Sequence, residues 1–154
     1  MKNSTKRLML EQVDEKMRVL KPVAGMDPPT GGWINAIRKS LNMSLRQYAQ
    51  RMGIAAPSVK DIEKREALGT ISLNALRSAG KALNLNLVYG FVPIEGTLDD
   101  MVLRKAKEVS RDIVMRTDTT MSLEDQQVKR QRIEKAIAEL ADEIKREMPR
   151  YLWD

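Results

Sequence analysis

A capped helix followed closely by a glycine constrains this chain more than any other feature. Ser44 and Gln47 have the spacing of a capping box, which predicts that a helix begins at residue 45. Gly53 stands where this helix must end, because glycine adopts a left-handed backbone at no steric cost. The pattern predicts two short helices joined by a tight turn, a helix-turn-helix, although an ordinary helical hairpin is the alternative. Its structural residues are Ala49, Gly53, Ile54, Val59 and Ile62.

Helical patterns also dominate the rest of the chain. Apolar residues make up 42% of the sequence but aromatic residues only 4%, so the core must be aliphatic and rich in good helix formers. We predict an all-α protein with a five-helix domain, one short strand and helical extensions at both ends. The expected core stripes of the extensions are Leu10, Val13, Met17 and Leu20; Val102, Ala106, Val109 and Ile113; and Ile133, Ile137, Leu140 and Ile144.

The stretch Asn86–Val92 reads as the one strand, because it is rich in β-branched and aromatic residues and is followed by Pro93. A single strand cannot satisfy its own backbone groups, so it needs a partner. Pairing with the same strand of a second subunit is one solution. The breaks in the pattern predict three segments: an N-terminal helical arm and linker at 1–29, the helix-turn-helix domain at 30–93 and a C-terminal extension at 94–154.

Positive charge is concentrated in the first part of the chain. Residues 1–93 hold 15 Lys/Arg and 7 Asp/Glu, a balance of +8, whereas residues 94–154 hold 12 and 14, a balance of −2. A polyanion-binding domain requires such a field, although solvated lysines are common in proteins that bind no nucleic acid. Charge alone therefore leaves both interpretations open.

The composition argues against catalysis. The chain has no Cys and no His, so thiolate, triad and imidazole chemistry are excluded, as are the usual transition-metal ligands. The acidic group Glu139, Asp142, Glu143 and Glu147 is interpreted as a solvated helix face. We expect a non-enzyme without cofactor or metal. No signal sequence or apolar run of membrane length is seen, so a cytoplasmic protein is expected.

The second helix of the predicted motif would lie in the major groove of DNA. Candidate base-reading residues on it are Ala56, Pro57, Lys60, Asp61 and Lys64. Candidate phosphate contacts are Arg38, Lys39, Ser44, Arg46, Arg51, Ser58 and Arg65. The Lys60, Asp61 and Lys64 group could equally be a solvated face. Trp33 and Tyr48 are both expected in the core.

Residues 33–85 resemble the lambda-repressor/Cro-type (XRE) helix-turn-helix family. The matching pieces are IRKSLNMSLRQYAQRMGIAAPSVKDIEKRE and SLNALRSAGKALNL. This resemblance implies a lambda-repressor-like fold for the five-helix domain. The longer stretch IEKREALGTISLNALRSAGKALNLNLVYGFVP, with TMSLEDQQV downstream, resembles a narrower group called mobile mystery protein A, and this likeness covers roughly residues 20–130. The resemblance implies a bacterial gene beside that of a Fic-domain protein, in a toxin–antitoxin-like arrangement.

The chain departs from this family at two positions. Leu45 stands where the family usually has a DNA-contacting Gln, and Ala55 replaces the usual Ser or Thr cap of the recognition helix. A tip so poor in hydrogen-bonding groups weakens the expectation of strong sequence specificity.

Some antitoxins of Fic proteins carry a helix whose Glu obstructs the nucleotide site. The nearest match here places Thr120 and Glu124 in that role, but Asp125 follows where Gly or Asn belongs, and an N-capping role for Ser122 is the stronger interpretation. The Ile133–Ile144 stripe is interpreted as a self-packing surface, within or between subunits, in preference to a toxin-binding face.

The expected function is that of a sequence-selective DNA-binding regulator, a homodimer that represses its own operon and acts as an antitoxin. The alternative is an interaction module that neutralises a Fic-type partner with little or no DNA readout.

Overall fold

A computed structural model describes residues 2–117 and 126–154. The regular secondary structure of these residues is entirely helical, as the sequence predicts. The α-helices are α1 (Lys2–Leu20), α2 (Trp33–Ser40), α3 (Leu45–Met52), α4 (Ala56–Leu68), α5 (Leu73–Ala82), α6 (Leu98–Thr117) and α7 (Gln126–Glu147). Short 3₁₀ turns occupy Lys21–Val23 and Arg150–Trp153.

The chain divides into two compact units. The central unit is residues 25–90 and holds α2 to α5; the terminal unit joins residues 1–24 to residues 91–154 and holds α1, α6 and α7. The predicted N-terminal arm therefore packs with the C-terminal helices rather than standing alone. The domain expected at 30–93 contains four α-helices, not five. After α5 the backbone turns left-handed at Asn84 (φ 60°), and no further helix forms before residue 98.

The predicted strand at Asn86–Val92 is absent from the described structure. Residues 85–93 have neither helical nor strand geometry, and no other described segment is a strand that could pair with them. A strand is defined by its ladder of backbone hydrogen bonds, so β-rich side chains alone do not produce one in a single copy of the chain. Val88, Tyr89 and Phe91 of this segment are exposed to solvent.

Tyr48 occupies the centre of the core of the central unit, as predicted, and is fully buried beside Val59 and Ala79. Its hydroxyl donates a 2.6 Å hydrogen bond to the carbonyl oxygen of Ala79. The helical donor for that carbonyl would be the Leu83 N–H, which bonds to Gly80 instead. Burial raises the pKa of Tyr48 to about 12, with the Glu63 and Glu66 charges adding to the effect. The Tyr48 hydroxyl of α3 thus supplies the hydrogen bond that a carbonyl oxygen in the last turn of α5 would otherwise lack.

Changing Tyr48→Phe should lower the free energy of unfolding by about 1–3 kcal/mol, because the Ala79 carbonyl loses its donor inside the core. Urea denaturation followed by circular dichroism measures the loss. Tyr89→Phe, at a side chain that is 59% exposed, is the matched control and should change stability by less than about 0.5 kcal/mol. Equal effects of the two changes would contradict this account.

The terminal unit is built on the predicted stripes of α6 and α7. Val102, Ala106 and Ile144 are buried together with Leu152 of the last 3₁₀ turn, while Ile133 and Ile137 are half-buried. This agrees with the interpretation of the α7 stripe as self-packing. Leu10 of α1 packs against the same cluster, whereas Val13 of α1 and Ile113 of α6 are exposed, contrary to prediction.

A carboxylate of α1 holds the start of α6. Asp14 accepts hydrogen bonds from the N–H groups of Leu98 and Asp99, at 2.7 and 3.1 Å. Thr97 caps the same helix, with its hydroxyl accepting from the Asp100 N–H at 3.1 Å. These contacts satisfy N–H groups that a helix cannot satisfy by itself.

Ser110 lies in the same unit, on α6, with its side chain fully buried and its hydroxyl without a hydrogen-bond partner among the described residues. Ser110→Ala should therefore raise the free energy of unfolding by about 1 kcal/mol or more, since an unsatisfied buried hydroxyl is removed. Ser78→Ala on α5 controls for the helix propensity of Ala, because Ser78 is exposed. A gain no larger than that of Ser78→Ala in thermal or urea unfolding would show that the hydroxyl carries no penalty.

Candidate nucleic-acid interface

The turn between α3 and α4 is built as the sequence predicts. The Gln47 N–H donates to the Ser44 hydroxyl at 3.2 Å and the Ser44 N–H donates to the Gln47 side chain at 2.8 Å, which completes the capping box. Gly53 ends α3 in the left-handed region, with φ 68°. Only residues 53–55 separate the helices, and Ala49 is buried where they pack. Ala55 precedes α4 without any side-chain cap.

One face of α4 is buried and the opposite face is open. Val59, Ile62 and Glu63 are buried. The candidate base-reading residues lie on the other side of the helix: Pro57, Lys60, Asp61 and Lys64 are exposed and Ala56 is partly buried. The periodicity of an α-helix places these side chains away from the core. The solvent-facing surface of α4 therefore collects the residues singled out from the sequence.

The charges on this surface fall into two groups. Lys60 and Lys64 form no ion pair with any described residue. Asp61 and Arg65, one turn apart, approach to 2.9 Å between Oδ2 and Nε. This exposed pair is weak in free energy, but it neutralises both members locally. The lysines are therefore the uncompensated charges of the α4 surface.

The prediction that Arg38 contacts phosphate is wrong. Arg38 is only 8% exposed, and each nitrogen of its guanidinium donates a hydrogen bond within the protein. Nε and Nη2 donate to the two carboxylate oxygens of Glu63, and Nη1 donates to the Met43 carbonyl oxygen at 2.8 Å. Arg38 thus ties α2 to α4 and to the loop before α3.

Of the remaining phosphate candidates, Arg65 is half-buried and the others are exposed. Lys39, Arg46 and Arg51 lie on the surface of α2 and α3 without an ion pair to a described residue. Ser44 and Ser58 are also exposed, at the starts of α3 and α4. The Ser44 oxygen accepts in the capping box, so its hydroxyl proton remains available for donation.

Glu63 and Glu66 hold α2 against α4 in this site, and the sequence analysis did not single them out. Glu66 accepts from the N–H groups of Trp33 and Ile34, at 2.8 and 2.9 Å, and so caps α2 from α4. Burial raises the pKa of Glu63, but hydrogen bonds from Arg38 and Asn35 outweigh burial and lower it overall. A signal was present: Arg38 and Glu63 both fall on the apolar face of their helix, beside Ile34 and Ile62. Opposite charges at two core-facing positions indicate a buried pair.

Trp33 is not a core residue, contrary to prediction. Its side chain is 43% exposed, because Glu66 fixes only its backbone at the first residue of α2. The ring lines an apolar cavity of about 280 Å³ in the central unit. Ile54 is also more exposed than expected, at 37%.

The candidate inhibitory residues Thr120 and Glu124 lie outside the described residues. Within the ranges 2–117 and 126–154, no group of acidic side chains is placed to ligate a metal ion. No helix in those ranges combines the length and apolar character needed to cross a bilayer. Comparison of the chain with protein-family models, with curated proteins and with solved structures finds no match.

The buried Arg38–Glu63 pair makes stability depend on pH. Because the folded pKa of Glu63 is lowered, its contribution is complete above the ordinary carboxyl pKa and is lost as pH falls through the folded value. Glu63→Gln should cost about 3–5 kcal/mol at pH 7, since it leaves Arg38 buried without its counterion. The difference from the parent chain should shrink towards pH 3.

Hydrogen exchange of core amides in α2 and α4 measures this cost across the pH range. Glu139→Gln is the control, because Glu139 pairs with Lys135 in solvent with its side chain 69% exposed. That change should cost less than about 1 kcal/mol at any pH. A Glu63→Gln cost that stays constant from pH 7 to pH 3 would rule out the ion pair as its source.

Proposed function

We propose that the central unit binds duplex DNA through the exposed face of α4, and that the protein is a sequence-selective transcriptional regulator. It acts as a homodimer in the cytoplasm, represses its own operon and serves as the antitoxin-like member of a two-gene module with a Fic-type partner. The observation that carries the DNA binding is the uncompensated Lys60 and Lys64 pair on the open face of a helix whose other face is locked into the core.

Electrostatics supports this proposal within the central unit. Residues 25–90 contain 9 Lys/Arg and 4 Asp/Glu. Two of the acids face Arg38 and Arg65, and Glu66 accepts backbone N–H groups. The exposed cations that remain create the field that attracts a polyanion and releases counterions on binding.

The geometry of α4 also supports its role as the reading helix. A helix that enters the major groove presents its N-terminal residues to base edges, while the preceding helix contacts the backbone. Lys60 and Lys64 have the reach to donate to guanine acceptors. Arg46 and Ser44 at the start of α3, together with Lys39, would contact phosphates. A two-fold dimer would place two copies of α4 about one DNA turn apart.

DNA affinity should fall steeply with salt. Fluorescence anisotropy with the region upstream of its own gene measures the slope of log affinity against log salt. Replacing Lys60 and Lys64 by Ala should weaken binding and flatten the preference for that region over random DNA, by roughly 1–3 kcal/mol for each lost base contact. Arg46→Ala should weaken binding to both DNAs alike and reduce the slope by about 1.

Lys107→Ala provides the control, because Lys107 is an exposed cation of α6 in the terminal unit. It should leave affinity, preference and slope unchanged. Failure of the parent chain to bind DNA at low salt would refute the proposed function. A preference that survives loss of both lysines would place recognition elsewhere in the chain.

A second candidate function is an interaction module that neutralises a partner protein without reading DNA. The uncapped Ala55 and the small residues Ala56 and Pro57 favour it, since none of these three side chains can form a hydrogen bond at the tip of α4. One combination of results would distinguish this second function from DNA binding. A chain that binds no DNA at low salt, yet copurifies with a co-expressed Fic-domain protein from the adjacent gene, acts as the module.

A further inference from the structure

An uncharged stretch connects α5 to α6. No charged residue occurs between Lys81 and Glu95, in a chain of which 31% is charged. We call residues 85–92 of this stretch the neutral segment. Val88 is 76% exposed, Tyr89 59% and Phe91 80%. Soluble proteins protect exposed β-prone segments with charged residues or proline, and here no charge does so.

The backbone of the neutral segment is also unpaired. The Leu85 N–H closes the turn after α5 by bonding to Gly80, but residues 86–92 take part in no backbone–backbone hydrogen bond with the described residues. Val, Tyr and Phe favour extended pairing. Strand partners within the chain are missing from ranges 2–117 and 126–154. The donors and acceptors therefore suit an added strand from another polypeptide.

The same segment borders the apolar cavity of the central unit. Leu85, Asn86, Leu87 and Val88 line this cavity of about 280 Å³, and the rest of its lining is Trp33, Ile34, Ile37, Glu66, Leu76 and Gly80. A chain that paired with the neutral segment would bring its own side chains to the mouth of this cavity. An apolar side chain fits such a lining.

From these observations we propose that the neutral segment pairs with the same segment of a second copy, antiparallel about a two-fold axis, and that each copy inserts Val88 or Tyr89 into the cavity beside the other's Trp33. Charge favours an identical partner, because two neutral segments meet without repulsion at any register. Isologous pairing also makes each copy donor and acceptor of the same contact, which closes the assembly at two.

The available area agrees with a weak dimer. An aromatic side chain carries about 150–250 Å² of surface. Within the central unit, the exposed parts of Trp33, Leu85, Val88 and Tyr89 therefore amount to roughly 400 Å² per copy, or about 800 Å² for two copies. Stable specific interfaces begin near about 1,000 Å², and weak ones lie below that value. The inference rests on the homodimer of the proposed function and assigns its surface. Its test uses no DNA, so DNA binding and pairing through the neutral segment can fail separately.

The test is sedimentation of the full chain from 1 to 100 µM, together with hydrogen exchange of residues 86–92. The parent chain should approach twice its mass of 17.5 kDa, with exchange protection that rises with concentration. The double variant Val88→Lys, Tyr89→Lys should weaken the dimer at least tenfold, since like charges would then face each other across the axis. The control Val19→Lys, at a side chain that is 72% exposed on α1, should leave the dimer unchanged.

A parent chain that stays monomeric at 100 µM would overturn the proposal. So would a dimer that keeps its strength in the double variant, or that loses it equally in Val19→Lys. Exchange separates loss of pairing from loss of folding: core amides such as those of Tyr48 and Val59 should stay protected in every variant. Fast exchange of residues 86–92 in a parent dimer would place the interface elsewhere and equally refute pairing through the neutral segment.

Discussion

The central unit depends on two carboxylates of α4 that hold α2. Glu63 binds the guanidinium of Arg38, and Glu66 binds the first N–H groups of α2. Gly32, which precedes α2, has no side chain to cap the helix. With so few aromatic residues available, polar contacts take over part of the orientation that large rings provide elsewhere. They turn one face of α4 inward and leave the opposite face free for other partners.

The terminal unit uses the same principle with different residues. Asp14 satisfies the start of α6, and the ammonium group of Lys6 lies 3.3 Å from the carbonyl oxygens of both Glu147 and Met148 at the end of α7. A carboxylate at a helix N-terminus and an ammonium at a C-terminus both complement the helix dipole. Such contacts are directional, so they specify how helices meet, whereas aliphatic side chains mainly supply burial. Both the short helices of the central unit and the long helices of the terminal unit are held in this way.

Local features were predictable from the sequence and tertiary ones were not. The Ser44 capping box, the left-handed Gly53 and the buried Tyr48 each depend on residues a few positions apart, and all three are confirmed. Arg38 and Trp33 were misjudged because their surroundings come from α4, far along the chain. The predictions rested on residue type alone, which favours a phosphate contact for an arginine and a core position for a tryptophan. The predicted strand at 86–92 is absent for a related reason, because β-prone side chains do not supply the pairing partner that a strand requires.

The tip of α4 limits how the proposed DNA binding can work. Ala55 and Ala56 leave the first turn of the helix without bulky side chains, and Pro57 has no N–H to satisfy there. Small residues allow the helix backbone to approach the floor of a groove closely, and an uncapped N-terminus favours a nearby negative charge. Sequence discrimination then depends on Lys60, Lys64 and Asp61. Asp61 can contact a base only after its ion pair with Arg65 is broken. Because the exposed Asp61–Arg65 pair is weak, DNA can separate it at small cost, leaving Asp61 free to accept from cytosine and Arg65 free to contact phosphate.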